Sequence, residues 1–337
     1  MPKVTIYDVA RAAGVAPSTV SRALSNPDRV SDAMRQRVQE AADAEGYEPR
    51  TAARSLRPAP RQTIAMVLAD ITNPHFIKII RGAELRAKAA GFTLVVVNAE
   101  ESPQIELTQI RGLAQKVDGF VLTSSRLPDQ ELLAIGQQHK VVLLNRDVPG
   151  LTSVRLDMAH GCRQILEHLA SLGHREFTYC AGPPGSWVGS LRWATLRDGA
   201  KEHGLTAHRI GPYAPTVAAG GVAADAALRS NPTALVAHND MLAFGMMKRL
   251  ASRGVPVPEQ VSIVGFDNNF AAELVSTPLT TLDGPGAEVG ARGVDLLLRS
   301  IAEHPDRRGT VTDLPNDRIT LPTELILRES SGLAPDR

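Results

Sequence analysis

Seven polar and aromatic residues share one kind of place in the chain. Asn73 and Phe76 follow the apolar run 63–69, Asn145 follows 140–144, Trp187 and Arg192 follow 176–180, Asn239 follows 234–237, and Asp267 follows 261–265. Each run reads as a buried strand, and small ligands of open α/β sheets sit outside the carboxyl ends of strands. Asn, Asp and Arg offer planar donor and acceptor groups that chelate neighbouring hydroxyls in a bidentate way. Phe76 or Trp187 would supply an apolar face for the C–H side of a sugar ring. Plainer readings stand beside these. Asp267 also fits a helix cap, Asn239 the cap of the helix it precedes, and Arg192 a solvated surface arginine. His75 reads equally as packing or contact, and Asp240 as a helix cap.

The positioning elements come from the pattern around these residues. Strands at 63–69, 92–97, 118–122, 140–144, 176–180, 207–210, 234–237 and 261–265 alternate with helices at 74–90, 103–116, 128–138, 158–172, 187–203, 216–229, 240–253 and 286–303. Further strands are expected near 310–313 and over 317–327, with a loose tail from Ser330. Short continuous apolar strands separated by helices predict parallel, doubly wound sheets covered on both faces. A second series begins near Asp157, so two such units follow one another. No G-x-G-x-x-G, P-loop, G-x-S-x-G or metal-spaced His/Cys/Glu cluster is present, so neither an enzyme nor a metal or other cofactor is expected. Cys162 and Cys180 lie in apolar helix and strand patterns and read as core thiols. No run of about 18 apolar residues suggests a membrane span. The start, Met1-Pro2-Lys3-Val4, has no signal-peptide core, which predicts a cytoplasmic protein.

The first 60 residues follow a different, helical pattern. Thr5 with Asp8 forms a capping box, and Ile6, Val9, Ala10 and Ala13 fall on one face. Gly14 supplies a stop and Pro17 a first helical position. Val20, Ala23 and Leu24 turn inward, leaving Pro17, Ser18, Ser21, Arg22 and Ser25 outward. Two short helices in this arrangement fit the helix-turn-helix that lays its second helix in a DNA major groove, although ordinary helical hairpins share the pattern. A third helix is expected over 32–45, capped by Ser31 and stopped by Gly46, with Tyr47 packing back. Formal charge is only +1 over the whole chain, yet 50–61 holds four arginines and no acid. DNA affinity would therefore come from local placement and depend strongly on salt. Eight residues, 50–57, are too few for a stable isolated helix.

The run V-T-I-Y-D-V-A-x-x-A-G-V-x-x-x-T-V-S-R-x-L over 4–24, with G-Y-x-P-x-x-x-A-R-S-L over 46–56, resembles the headpiece and hinge of the lactose/galactose repressor (LacI/GalR) family. The likeness extends to N-P-x-F at Asn73–Phe76, G-P-x-x-S-x-x-x-x-x-R ending at Arg192, N-D-x-x-A-x-G from Asn239 and V-S-I-V-G-F-D ending at Asp267. It implies an N-terminal all-α helix-turn-helix headpiece at 1–49 and a hinge helix or linker at 50–60. The remainder, 61–337, would be a type I periplasmic-binding-protein-like effector domain. Its N-terminal lobe is expected at about 61–157 and 284–313, its C-terminal lobe at about 158–283 and 314–330. DNA contacts carried over by position are Thr5, Tyr7, Pro17, Ser18, Thr19, Ser21, Arg22, Arg50, Ala53, Arg54, Leu56 and Arg57. Leu56 matches the family's leucine that wedges into a central base step and kinks the duplex, against the plainer reading of a linker leucine packed on its own domain.

The resemblance further implies a homodimer on a palindromic double-stranded operator with a central CG step. The dimer would act as a repressor of carbohydrate-utilisation genes in the bacterial cytoplasm, at the nucleoid, and be released by a mono- or oligosaccharide. A nucleobase or sugar-phosphate corepressor is the alternative, with a partner protein behind it; a sugar-transport protein or an enzyme is the reading from another class. Three departures stand out. Asn145 replaces a common aspartate, Thr280–Pro285 lacks a common glutamine, and Pro17 and Ser18 are small where many members carry larger base readers. Direct readout would then lean on Arg22 and on operator shape.

Overall fold

The computed structural model describes residues 4–25, 30–47, 61–303 and 317–336. The chain divides into two units, Met1–Ala59 and Pro60–Arg337. In the first, α1 (Ile6–Ala13), α2 (Pro17–Ser25) and α3 (Asp32–Glu45) surround a small core of Val9, Ala10, Ala13, Val20, Ala23, Val38 and Ala42, with Tyr47 packed against it. The Asp8 carboxylate accepts the Thr5 N–H at 2.9 Å and the Thr5 hydroxyl at 2.6 Å. Those bonds hold its acid below the usual carboxylate range. Gly14 leaves α1 at φ 63, a left-handed conformation that glycine adopts without a Cβ penalty.

The second unit carries two six-stranded sheets. Its first lobe contains β1 (Thr63–Leu68), α4 (His75–Ala89), β2 (Thr93–Asn98), α5 (Pro103–Leu113), β3 (Phe120–Thr123), α6 (Asp129–Gln138), β4 (Val141–Leu144) and β5 (Thr152–Leu156). The second lobe holds α7 (Met158–Ser171), β6 (Glu176–Cys180), α8 (Trp187–Ala200), β7 (Thr206–Ile210), α9 (Val217–Ala227), β8 (Ala234–Ala237), α10 (Asp240–Ser252), β9 (Ser262–Phe266) and β10 (Thr280–Asp283). Helix α11 (Gly286–Glu303) and strand β11 (Arg318–Leu321) return to the first lobe, and β12 (Glu324–Ile326) ends in the second. Strand orders are β11-β5-β4-β3-β1-β2 and β12-β10-β9-β8-β6-β7. Among the described residues all strand pairings are parallel except β12 on β10. Strands β3, β4, β8 and β9 are buried along their whole length. Cover on both faces explains why they read as unbroken apolar runs.

Four expectations need correction. The single strand foreseen over 317–327 is two, because Pro322 cannot donate to a ladder and the chain changes sheet there. Arg318–Leu321 therefore pairs with β5 in the first lobe, although 314–330 was assigned to the second. Strands β5 (TSVRL) and β10 (TTLD) were not foreseen, since neither is an apolar run. The tail is not loose. The Ser330 N–H donates to Pro278 O at 3.0 Å, Ile263 N–H donates to Ser330 O at 2.7 Å, and Ala334 N–H donates to Leu172 O at 2.8 Å. The strand foreseen near 310–313 and the connector at 50–60 lie outside the described residues.

The chain passes between lobes at Asp157, at Gly284–Pro285 and at Pro322–Thr323, and the first and last of these are joined. Asp157 N–H donates to Leu321 O at 2.8 Å, and the Thr323 hydroxyl donates to Asp157 O at 2.8 Å. Within the first lobe α4 and α11 approach backbone to backbone. A Cβ on Gly290 would land on the Ile79 carbonyl oxygen, and one on Gly82 on the Ala287 carbonyl oxygen. Gly112 of α5 has nothing within 4 Å of a built Cβ. Gly290→Ala should therefore lose about 1–3 kcal/mol in urea unfolding, the usual range for overpacking. Gly112→Ala should lose nothing, and equal effects would show that the close helix contact is not the cause.

Candidate functional site

The carboxyl ends of the strands from both lobes converge on one cleft, and backbone geometry aims their residues into it. Non-glycine residues there adopt left-handed conformations: Glu101 at φ 57, Ser124 at φ 53, Asn145 at φ 53 and Asp267 at φ 105. Such conformations cost of order 1–3 kcal/mol each and gather at ligand sites. All seven residues singled out in the sequence line this cleft: Asn73, Phe76, Asn145, Trp187, Arg192, Asn239 and Asp267.

Arg192 is the centre of the second-lobe wall. Ser186 caps α8 by accepting the Gly189 N–H at 3.1 Å, which starts the helix so that Arg192 lies inward in its second turn. Only 7% of the residue is exposed, which excludes a solvated surface arginine. Its Nη1 donates to His238 O at 2.6 Å, Nη2 donates to Asp267 Oδ1 at 3.3 Å, and the guanidinium carbon sits 4.1 Å from the Phe266 ring centroid. Nε has no partner among the described residues. From the first lobe, His75 Nδ1 lies 3.6 Å from the same Asp267 oxygen, and Lys78 Nζ donates to Asn268 O at 3.1 Å. His75 is thus a cleft residue bridging the lobes.

Beneath Arg192 is a buried polar layer. The His238 ring pairs with the Tyr179 hydroxyl at 3.2 Å and leaves no room for a Cβ at Gly182. Burial, then the neighbouring Arg192 charge, holds His238 well below the usual histidine value. Asn239 accepts the Leu242 N–H at 3.0 Å as the α10 cap and donates to Pro215 O at 3.2 Å. Its amide is therefore largely committed to the fold. Asp240 is not the cap. It is fully buried and accepts the Thr281 hydroxyl at 2.6 Å and the Asn269 N–H at 2.9 Å, fixing the turn that carries Asp267. Burial and then the Asp267 charge push its acid well upward. A Cβ on Gly265 would strike its carboxylate. Burial also pushes the thiols of Cys162 and Cys180 up to about 12, as core thiols.

Several cleft residues were missed. Glu101, Ser124 and Arg126 follow β2 and β3, whose carboxyl ends the same strand-end rule would have picked out. Arg126 Nε and Nη2 donate to the two Glu101 oxygens at 2.5 and 3.0 Å, and Nη1 donates to Ser124 O at 3.0 Å. Arg155 escaped because β5 was not recognised; its Nη1 donates to Asp147 Oδ2 at 2.6 Å, and Arg318 Nε reaches the other Asp147 oxygen at 3.3 Å. Asn145 lines the cleft, its backbone N–H donating to Val154 O at 2.9 Å. Arg146 stands behind, paired with Asp129 and 6.0 Å from the Trp187 ring centroid.

In the first unit, Ser18, Ser21 and Arg22 are exposed along α2, with Pro17 and Thr19 half-buried beside them. Arg22 folds back, its Nε donating to Ser18 O at 3.2 Å. Thr5 and Tyr7 lie exposed on and before α1, Tyr7 at 67%. Arg50, Ala53, Arg54, Leu56 and Arg57 lie outside the described residues.

Residues 5–50 match the model for bacterial regulatory proteins of the lacI family, and 166–331 match a periplasmic binding protein-like domain. The HTH-type transcriptional regulator DegA of Bacillus subtilis (strain 168) is 32% identical over 98% of this chain and 98% of its own length. The chain belongs to the LacI family. The HTH-type transcriptional repressor CytR of Escherichia coli (strain K12) is likewise 32% identical, over 98% of this chain and 97% of its own. Among solved structures, the lac repressor dimer bound to operator and the anti-inducer ONPF has a TM-score of 0.72 at 26% identity, covering 98% of this chain and 100% of that one. The CelR–cellobiose complex has a TM-score of 0.70 at 26% identity, covering 97% of this chain and 100% of that one. This LacI-family chain is a DNA-binding transcriptional regulator and not an enzyme. Among the described residues no helix is long and apolar enough to cross a membrane.

The buried layer gives a pH test. An unfolded chain takes up the His238 proton near 6.5, the folded chain only below that value. This group therefore withdraws stability as pH falls below 6.5 and has no effect above it. By NMR the His238 ring should still be mostly neutral at pH 6.5; a midpoint at or above 6.5 would contradict its burial between Tyr179 and Arg192.

Proposed function

We propose that the cleft binds a neutral mono- or disaccharide, and that this ligand controls operator binding by a homodimer acting as a repressor of carbohydrate-use genes in the bacterial cytoplasm. The observation that carries the reading is charge compensation. Every arginine lining the cleft faces a carboxylate: Arg126 pairs with Glu101, Arg155 shares Asp147 with Arg318, and Arg192 shares Asp267 with His75. A phosphate needs uncompensated cations, whereas alternating guanidinium and carboxylate groups suit a ring of hydroxyls. Phe76 and Trp187, with the Asn145 side chain, complete an apolar and polar lining for a sugar face. The cellobiose complex of CelR supports the same class of ligand. Exposed Ile77 (56%), Leu85 (51%), Phe270 (65%) and Leu274 (76%) offer apolar surface for a second copy.

A ligand touching both lobes stabilises whichever lobe arrangement it binds more tightly, and the response is limited by that difference in affinity. The arginine-bearing connector 50–57, read from sequence, would carry the change to DNA, with Leu56 as its wedge into a central CG step and α2 residues around Arg22 in the major groove.

A thermal-shift screen of mono- and disaccharides should find a stabilising ligand. Arg192→Ala or Asp267→Ala should then retain operator binding in fluorescence anisotropy but no longer respond to that ligand. Loss of operator binding in both would make these residues structural only. Leu56→Ala should weaken specific operator binding at least tenfold while non-specific DNA affinity stays within twofold; equal losses would remove the wedge.

A further inference from the structure

Resting on the reading of a sugar cleft, we propose that Glu101 sets the charge class of the ligand: by neutralising Arg126 one to one, it admits neutral sugars and excludes their anionic counterparts. Arg126 is almost buried, its side chain 7% exposed, and Glu101 grips it in a two-oxygen clamp at the cleft wall. Both ends of the clamp are fixed. The Glu101 N–H donates to Ala69 O at 2.6 Å, and its left-handed backbone turns the side chain off the end of β2. The Arg126 N–H donates to Glu106 at 2.9 Å, and Glu106 is itself buried, its acid pushed up by that burial.

The other cleft arginines differ. Asp147 is shared by Arg155 and Arg318, and Asp267 by Arg192 and His75. In the Arg126 pair, loss of the Glu101 carboxylate would leave one guanidinium without its ion-pair clamp, the Glu106 carboxylate being bound to the Arg126 backbone N–H instead. An incoming carboxylate or phosphate must displace Glu101 and then face its negative charge at short range, which opposes binding. A neutral polyol meets no such opposition. It takes the unused Nη1 and Nη2 hydrogens of Arg126 and the remaining lone pairs of Glu101.

The test uses the full chain, with D-glucose, cellobiose, D-glucuronate and D-glucose 6-phosphate as probes in calorimetric titrations. Wild type, Glu101→Gln and Glu101→Gln/Arg126→Gln are compared, with Glu101→Ser replacing Glu101→Gln if cooperative melting is lost. Glu101→Gln should bind at least one anion tenfold or more tightly than wild type does, and the double variant should lose that gain. No gain for either anion, or a gain that survives in the double variant, overturns the role of Glu101. A wild type that binds no neutral sugar, beside a Glu101→Gln that gains an Arg126-dependent anion, leaves the role standing and removes the sugar reading instead.

Discussion

A guanidinium held almost out of water must have its charge compensated, and the contacts that do so for Arg192 organise the second lobe, Nε alone being left without a partner among the described residues. One hydrogen-bonding edge is met by the His238 carbonyl, another by Asp267, and one face by the Phe266 ring. Each of these needs support of its own. His238 requires a glycine at 182 to make room for its ring, and Asp267 requires Asp240 to pin the following residues at a backbone angle that few side chains adopt. Three strand ends, those of β6, β8 and β9, are thereby committed to one charge. Removing a single partner leaves the charge buried and unpaired, which is more damaging than never having placed it there.

How much of this was legible in the sequence depended on which signal each residue gave. The headpiece was readable almost to the residue, because Thr5–Asp8, Gly14, Pro17 and Gly46 are local signals whose meaning does not depend on the rest of the fold. The central strands were readable because burial on both faces leaves them almost wholly apolar. Edge strands β2 and β7 were read as well, but β5 and β10, each one place in from the opposite edge, were not. Thr152–Leu156 and Thr280–Asp283 carry threonines, an arginine and an aspartate that report on the cleft and on the lobe junction, and so look like loops. The cleft followed the same division. Residues after recognised strands were found where each strand end was inspected, while Arg155 depended on a strand that had not been seen. Glu101 and Arg126 were overlooked at the ends of strands that had. Their pairing is a tertiary fact: 25 positions separate them, and neither neighbourhood announces the other.

Asn239 and Asp240 show why residue type alone misassigns roles. Both can cap a helix. The cap went to Asn239, whose amide serves the backbone at α10 and the loop at Pro215. Asp240 was drawn inside, where it ties β10 to the turn after β9. The neighbouring Gly265 decides the matter sterically, since only a missing side chain there lets the carboxylate lie across the strand.

Two of the three chain passages between lobes are hydrogen-bonded to each other through Asp157, Leu321 and Thr323, and the third, at Gly284, lies against the Leu156 side chain beside them. A strap three backbones wide bends readily across its width but resists being wrung about its length. Relative movement of the lobes is thereby confined close to a single angular coordinate, and cleft width and lobe orientation cannot vary independently.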